Sequence, residues 1–187
     1  MSSNPYAPPM AEVADIVPST PSSRLDEQPP FFAVSLVKLA VLSVCTLSLY
    51  ELYWFYKNWK LIRARESSNI LPFWRAFFAI FFCHACFARI RDHGDEQGVT
   101  PALPAAALAT GWVVTMLLHK LPDPWWLVSF LSFLFMLPVQ AYVNRVNAAT
   151  APAHDRNARF SVWNWLVTVL GGAFFLLAAL GTLAGEK

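Results

Sequence analysis

Cys83-His84-Ala85-Cys86 is the spacing in this chain that most directly could do chemistry. A C-x-x-C pair can cycle between dithiol and disulfide or hold a soft metal, with histidine as a further ligand. The surroundings favour a plainer role. Phe81, Phe82 and Phe87 flank the motif, there is no second cysteine pair, and haem attachment would need a histidine after the second cysteine. On a helix Cys83 and Cys86 share a face while His84 points away. Helix packing therefore outweighs redox or metal chemistry, and neither cofactor nor metal is expected.

A second constellation is made of amides. Gln140, Asn144 and Asn147 recur at four and three residues, so one helix face presents all three, and Asn164 follows in the next apolar segment. Buried polar groups cost several kcal/mol unless paired. Two explanations compete: ties between helices and caps for loops, or the lining of a solvated pocket for a polar headgroup, ion or solute. Glu51 and Arg75 have the right signs for a structural ion pair. No phosphate loop, nucleophile elbow or pair of catalytic carboxylates is found, and the four histidines are isolated. The chain is not expected to be an enzyme.

The elements that carry these residues are strongly apolar. Of 187 residues 56% are hydrophobic, 15% aromatic and only 14% charged, against roughly 25% charged in soluble domains. Phe31 to Tyr56 contains just two charged side chains, Lys38 and Glu51. About 20 apolar residues cross a bilayer core as a helix, so four segments are expected to span, at about 32–51, 104–120, 125–143 and 162–184. Ser161 is placed to cap the last. The block at about 72–91 is Phe-rich but interrupted by Arg75, His84 and Arg89, and is expected to be an interfacial or re-entrant helix. Ala76, Ala79, Cys83 and Cys86 give it a small-residue stripe. Residues 1–30 hold seven of the 14 prolines and little to bury, which predicts a disordered tail; the first span would then be the targeting signal.

Charge counting chooses between topologies. With 72–91 spanning, five spans divide the 14 Lys and Arg evenly, and orientation has no signal. With four spans, ten fall on one side and Arg24, Lys38, Lys120 and Lys187 on the other, the asymmetry expected of a cytoplasmic face. The run Tyr53-Trp54-Phe55-Tyr56-Lys57-Asn58-Trp59-Lys60 reads as an anchor in anionic lipid, with Tyr53, Trp54, Tyr56, Lys57, Trp59 and Lys60 at the headgroups.

Two pieces resemble known sequences. Asn4-Pro5-Tyr6-Ala7-Pro8-Pro9 resembles the Asn-Pro-Tyr leader of many bacterial multi-pass membrane proteins of unassigned role. Thr46-Leu47-Ser48-Leu49-Tyr50-Glu51-Leu52-Tyr53-Trp54-Phe55-Tyr56-Lys57-Asn58-Trp59 is similar to the Thr-x-Gly-x-Tyr-x-x-Tyr-Trp signature of a small bacterial domain-of-unknown-function family, with Ser48 in place of its Gly. The resemblance implies a bacterial inner-membrane location and carries over no catalytic residue. The expectation is an all-α polytopic bundle: a non-enzymatic component that assembles with membrane proteins, with lipids or with its own copies, and not with nucleic acid. The alternative is a solute or ion permeation protein using the Gln140, Asn144, Asn147 and Asn164 amides.

Overall fold

A computed structural model describes residues 28–184, and within them the chain is all-helical, with no strand. The expected disorder of residues 1–30 falls, but for its last three residues, outside that range. In chain order the helices are α1 (Leu36–Cys45), α2 (Leu49–Glu66), α3 (Pro72–Phe77), α4 (Ala79–Glu96), α5 (Ala105–Leu117), α6 (Phe133–Thr150) and α7 (Val162–Ala184). Two stretches of 3-10 helix, Leu118–Lys120 and Trp125–Ser132, join α5 to α6.

The segment expected as one helix over 32–51 is instead a hairpin. Residues 31–34 are not helical, and α1 starts only after Ser35, whose side chain accepts from the Lys38 N–H at 3.2 Å. After ten residues α1 stops. Leu47 and Ser48 take φ of 53° and 66°, and the chain turns back as α2. The tip satisfies its own backbone: Ser48 N–H donates to Ser43 O at 2.8 Å, and Tyr50 N–H to Thr46 Oγ1 at 2.9 Å. Arg65, near the end of α2, reaches Pro30 O at 3.1 Å, so the hairpin ends where it began.

The Phe-rich block is a second bent unit. Pro72 opens α3, where its fixed φ suits a first helical position. Helix α3 packs on α2, with Arg75 over the Trp59 ring at 4.5 Å, and breaks at Phe78. Helix α4 then runs alongside α2, stacking Phe87 on Phe55 at 5.9 Å and bringing His93 to Phe31 at 5.5 Å. Ala76, Ala79, Cys83 and Cys86, the small-residue stripe, are all buried.

The hairpin expected at 104–120 and 125–143 forms, with its second arm longer and differently wound. Its first eight residues are 3-10 helix and α6 runs on to Thr150, because Val143, Val146 and Asn147 continue its buried face. Gly111 lies flat against the Phe135 ring, where any side chain would collide. Among the described residues only the helical stretches Trp125–Thr150 and Val162–Ala184 are both long and apolar enough to cross a membrane. Helix α7 starts where Ser161 Oγ accepts from the Asn164 N–H at 3.3 Å, and none of its residues is buried. It lies along α1, with Gly171 against the Cys45 carbonyl.

Candidate functional site

The amides at Gln140, Asn144 and Asn147 have a partner that the sequence does not advertise, the bare backbone of residues 31–34. Asn147 Nδ2 donates to Phe31 O at 2.9 Å, Gln140 Nε2 to Phe32 O at 3.2 Å, and Asn144 Nδ2 to Val34 O at 3.0 Å. Asn157, from the loop after α6, donates to the remaining carbonyl, Ala33 O, at 3.1 Å. Two of the segment's N–H groups are met in the same way, Phe31 by Asn147 Oδ1 at 3.2 Å and Phe32 by Asn58 Oδ1 at 3.0 Å. Every carbonyl from Phe31 to Val34 is therefore held by a side-chain amide. The segment is buried and has neither helix nor sheet to pair it, so each polar group needs such a partner.

These amides are also tied to one another. Trp54 Nε1–H donates to Gln140 Oε1 at 2.5 Å, and Gln140 Nε2 donates to Asn144 Oδ1 at 2.8 Å. A permeation path would need amide groups facing open space. Those of Gln140 and Asn147 are fully buried and spent on the chain itself.

Asn164 stands apart from the other three, in a second polar cluster around Lys38. The Lys38 ammonium donates to Asn157 Oδ1 at 2.8 Å and to Arg159 O at 2.9 Å. With its amide turned to face the cation, Asn164 accepts from it at 3.0 Å. All three ammonium protons find neutral oxygens, and Lys38 pins the α6–α7 loop to α1.

A third node forms below the first hairpin tip. Glu51 is fully buried, and its carboxylate accepts from Trp112 Nε1–H at 2.6 Å and from Ser132 Oγ–H at 2.9 and 3.1 Å. The expected partner was Arg75, but that guanidinium is on the aromatic rings of Trp59 and Phe82. One carboxylate thus joins α2, α5 and the end of the 3-10 segment that precedes α6. The Ser48-x-x-Glu51 spacing is the sequence signal for it: an acid in the first turn after a serine belongs at a helix start, not on a charged face. Around the node the rings of Trp54, Phe55, Phe87 and Trp112 pack edge-on and stacked, with centroids 5.0–6.1 Å apart.

The expected lipid anchor divides. Trp54 and Trp59 are core residues, while Tyr53, Tyr56 and Lys60 are exposed and Lys57 reaches over the Phe32 ring at 5.6 Å. Their alternation follows from the helix: Trp54, Phe55, Asn58, Trp59 and Ile62 form the buried stripe and the others the outer face. Cys83 and Cys86 are buried free thiols on the α4 face toward α5. Burial raises the pKa of both thiols, which works against the free thiolate that redox chemistry needs. His84 instead contacts Thr110 Oγ1 at 3.1 Å. Among the described residues no group of three or more metal-ligating side chains converges.

These features define an all-helical protein with two helices long and apolar enough to cross a membrane. The chain matches no protein-family model, no curated protein and no solved structure.

Proposed function

We propose that this is a multi-pass membrane protein of the bacterial inner membrane and a non-enzymatic component that assembles with other membrane proteins or lipids. The observation that carries it is α7: a strongly apolar helix of 23 residues with no charged side chain and none of its residues buried, attached to the body along α1. In water such a helix would expose an apolar surface far beyond what soluble monomers tolerate. In a bilayer it is a lipid-facing helix with most of its circumference free for a partner.

The rest of the fold supports a specific arrangement. α6 with the 3-10 segment before it and α7, the two long enough by themselves, would cross. α5 is only 13 residues and would cross with its flanking chain, since residues 101–119 carry no Asp, Glu, Lys or Arg. The α1–α2 and α3–α4 units would enter and return. At the tip of the first unit Ser48 N–H and Tyr50 N–H find partners within the turn, and at the break in the second Phe78 N–H donates to Trp74 O, the kind of internal pairing that irregular chain at membrane depth requires. Charge supports this arrangement more strongly than four spans. Among the described residues every Lys and Arg except Lys120 then lies on one side, and Lys120 is in the α5–α6 turn at the other. That asymmetry marks the side of the basic residues as cytoplasmic. Ser48 adds to the resemblance noted for Thr46–Trp54, since it holds the left-handed conformation that the glycine of the similar signature would favour.

Two measurements test this reading. Single cysteines placed at Ser68, Gln97 and Asp155 of a cysteine-free chain should label from the cytoplasmic side, and one at Pro122 from the other. Labelling of Ser68→Cys opposite to Gln97→Cys would restore a crossing by the Phe-rich block. Native mass spectrometry after mild-detergent extraction should show a stoichiometric partner or homo-oligomer. A lone protomer, stable and fully dispersed, would remove the assembly role.

A further inference from the structure

Beyond the elements that hold the fold together, one cavity is lined for an anion. It has a volume of about 340 Å³ and lies where α1 begins beside the C-terminal half of α6, under the α6–α7 loop. Ser35, Asn144, Arg145, His154 and Arg156 bring polar and cationic groups to its wall, and among the described residues no Asp or Glu lines it. The nearby acid, Asp155, opens instead into a neighbouring cavity beside Lys57 and Lys60.

The groups converge from three elements, and all but Arg156 have a partner that positions them. Arg145 is held by Thr100 O at 3.3 Å and by the Tyr142 ring at 5.4 Å, which orients its guanidinium without neutralising it. His154 is fixed through Nδ1, 2.6 Å from Ala151 O, and its Nε2 has no partner among the described residues. Ser35 is the N-cap of α1, so the positive end of that helix dipole faces the cavity as well. Arg156 is exposed and makes no ion pair among the described residues. Two guanidiniums, an imidazole and a helix start around one cleft form a site for a tetrahedral oxyanion, since planar guanidinium forks match phosphate oxygens.

We propose that this cleft binds a phosphate group, and that the phosphate belongs to the headgroup of an anionic phospholipid. The source follows from the border of the cleft. Leu36 and Val37, next along α1 from Ser35, are exposed apolar residues, as are Val162 and Trp163 at the start of α7. A phosphate seated among the arginines would place its acyl chains over those residues. Basic pockets at the cytoplasmic ends of spanning helices recognise acidic headgroups in this manner. The assignment of a lipid source rests on the membrane reading above; the phosphate site itself rests on the cleft alone.

The test is native mass spectrometry of the full chain in mild detergent, titrated with phosphatidylglycerol or phosphatidylcholine. Wild type should retain one phosphatidylglycerol preferentially, and Arg145→Gln/Arg156→Gln should weaken that retention about tenfold or more, in line with two lost charge-assisted contacts. Arg156→Gln alone, which breaks no hydrogen bond or ion pair among the described residues, should show a smaller loss with an unchanged thermal midpoint in lipid-free detergent. Retention of phosphatidylglycerol by the double variant at the wild-type level, or equal retention of phosphatidylcholine by wild type, overturns the site. Inorganic phosphate that stabilises the lipid-free protein and displaces phosphatidylglycerol at low millimolar concentration would overturn the lipid source. Failure of the membrane reading is separate, and would show as release of the protein from membranes by an alkaline carbonate wash.

Discussion

The two ends of the α1 helix are held in opposite ways. Toward its start, residues 31–34 and Lys38 are bound by eight side-chain hydrogen bonds to Asn58, Gln140, Asn144, Asn147, Asn157 and Arg159. Toward its end, α1 meets α7 through the backbone of Cys45 against Gly171, with no hydrogen bond between the two helices there. Directional bonds fix register and leave a penalty if any one is broken, because its partner stays buried. A glycine seam fixes only distance and yields to added bulk. The α1–α2 hairpin should therefore behave as part of one cooperative body, and α7 as a helix that can separate from it.

The largest effect is expected where a single side chain serves three elements. Glu51→Ala leaves Trp112 Nε1 and Ser132 Oγ buried without an acceptor. At about 1–3 kcal/mol for each orphaned group, the loss should be about 4 kcal/mol. Thermal unfolding in detergent would measure it, and Glu51→Gln, which keeps one acceptor oxygen, should recover part of the loss. A shift in Glu51→Ala no larger than that of an exposed alanine substitution would remove the carboxylate from the centre of the fold.

Second is the clasp. Asn147→Ala removes both bonds to Phe31, and a loss of about 2 kcal/mol is expected from the orphaned N–H and carbonyl. Hydrogen exchange should localise the change to residues 31–34 and the facing turn of α6. If the substitution instead altered solute flux in proteoliposomes while leaving stability unchanged, the amides would be a pathway lining after all.

How much of this was legible follows from what kind of pairing each residue makes. The amide periodicity at Gln140, Asn144 and Asn147 could be read, because helical spacing is local. Their partner could not, since residues 31–34 are apolar and read as the start of a helix. Burial of an irregular backbone leaves no mark in the side chains that carry it. The same limit hid the hairpin: Phe31–Tyr56 has the length and apolar content of a span, and only the two left-handed residues Leu47 and Ser48 turn it back. The helical existence of 72–91, the hairpin around residues 120–125 and the cap at Ser161 were legible, because each depends on sequence neighbours. Glu51 was placed with Arg75 by charge, whereas its actual donors, Trp112 and Ser132, are neutral and 61 and 81 residues away.

The seam comes third. Any side chain at Gly171 would collide with the Cys45 carbonyl, so Gly171→Val should push α7 off α1 while the body keeps its unfolding midpoint to within about 1 kcal/mol, the cost of a local rather than a shared contact. Gly172 supplies the readout. A Cβ there would lie 3.4 Å from Cys45 Sγ, close to the reach of a disulfide. Gly172→Cys should therefore form a bond with Cys45 on mild oxidation, and Gly171→Val should suppress it. Equal cross-linking in both backgrounds would mean that α7 is fixed by something other than this close approach.

The smallest effect tests the turn that makes the hairpin. Ser48 is buried at φ 66°, a conformation that costs an L side chain about 1–2 kcal/mol. Ser48→Gly removes that cost but adds freedom to the unfolded chain, worth roughly 0.5–1 kcal/mol in the other direction. The net change from wild type should be small, so Ser48→Ala serves as the reference. Alanine keeps the left-handed strain and loses the hydroxyl, as glycine does. Glycine should therefore unfold at a higher midpoint than alanine, by the equivalent of about 0.5 kcal/mol. If alanine equals or exceeds glycine, the left-handed turn is not imposed on the chain, and a helix continuous from α1 into α2 becomes the better account of this segment.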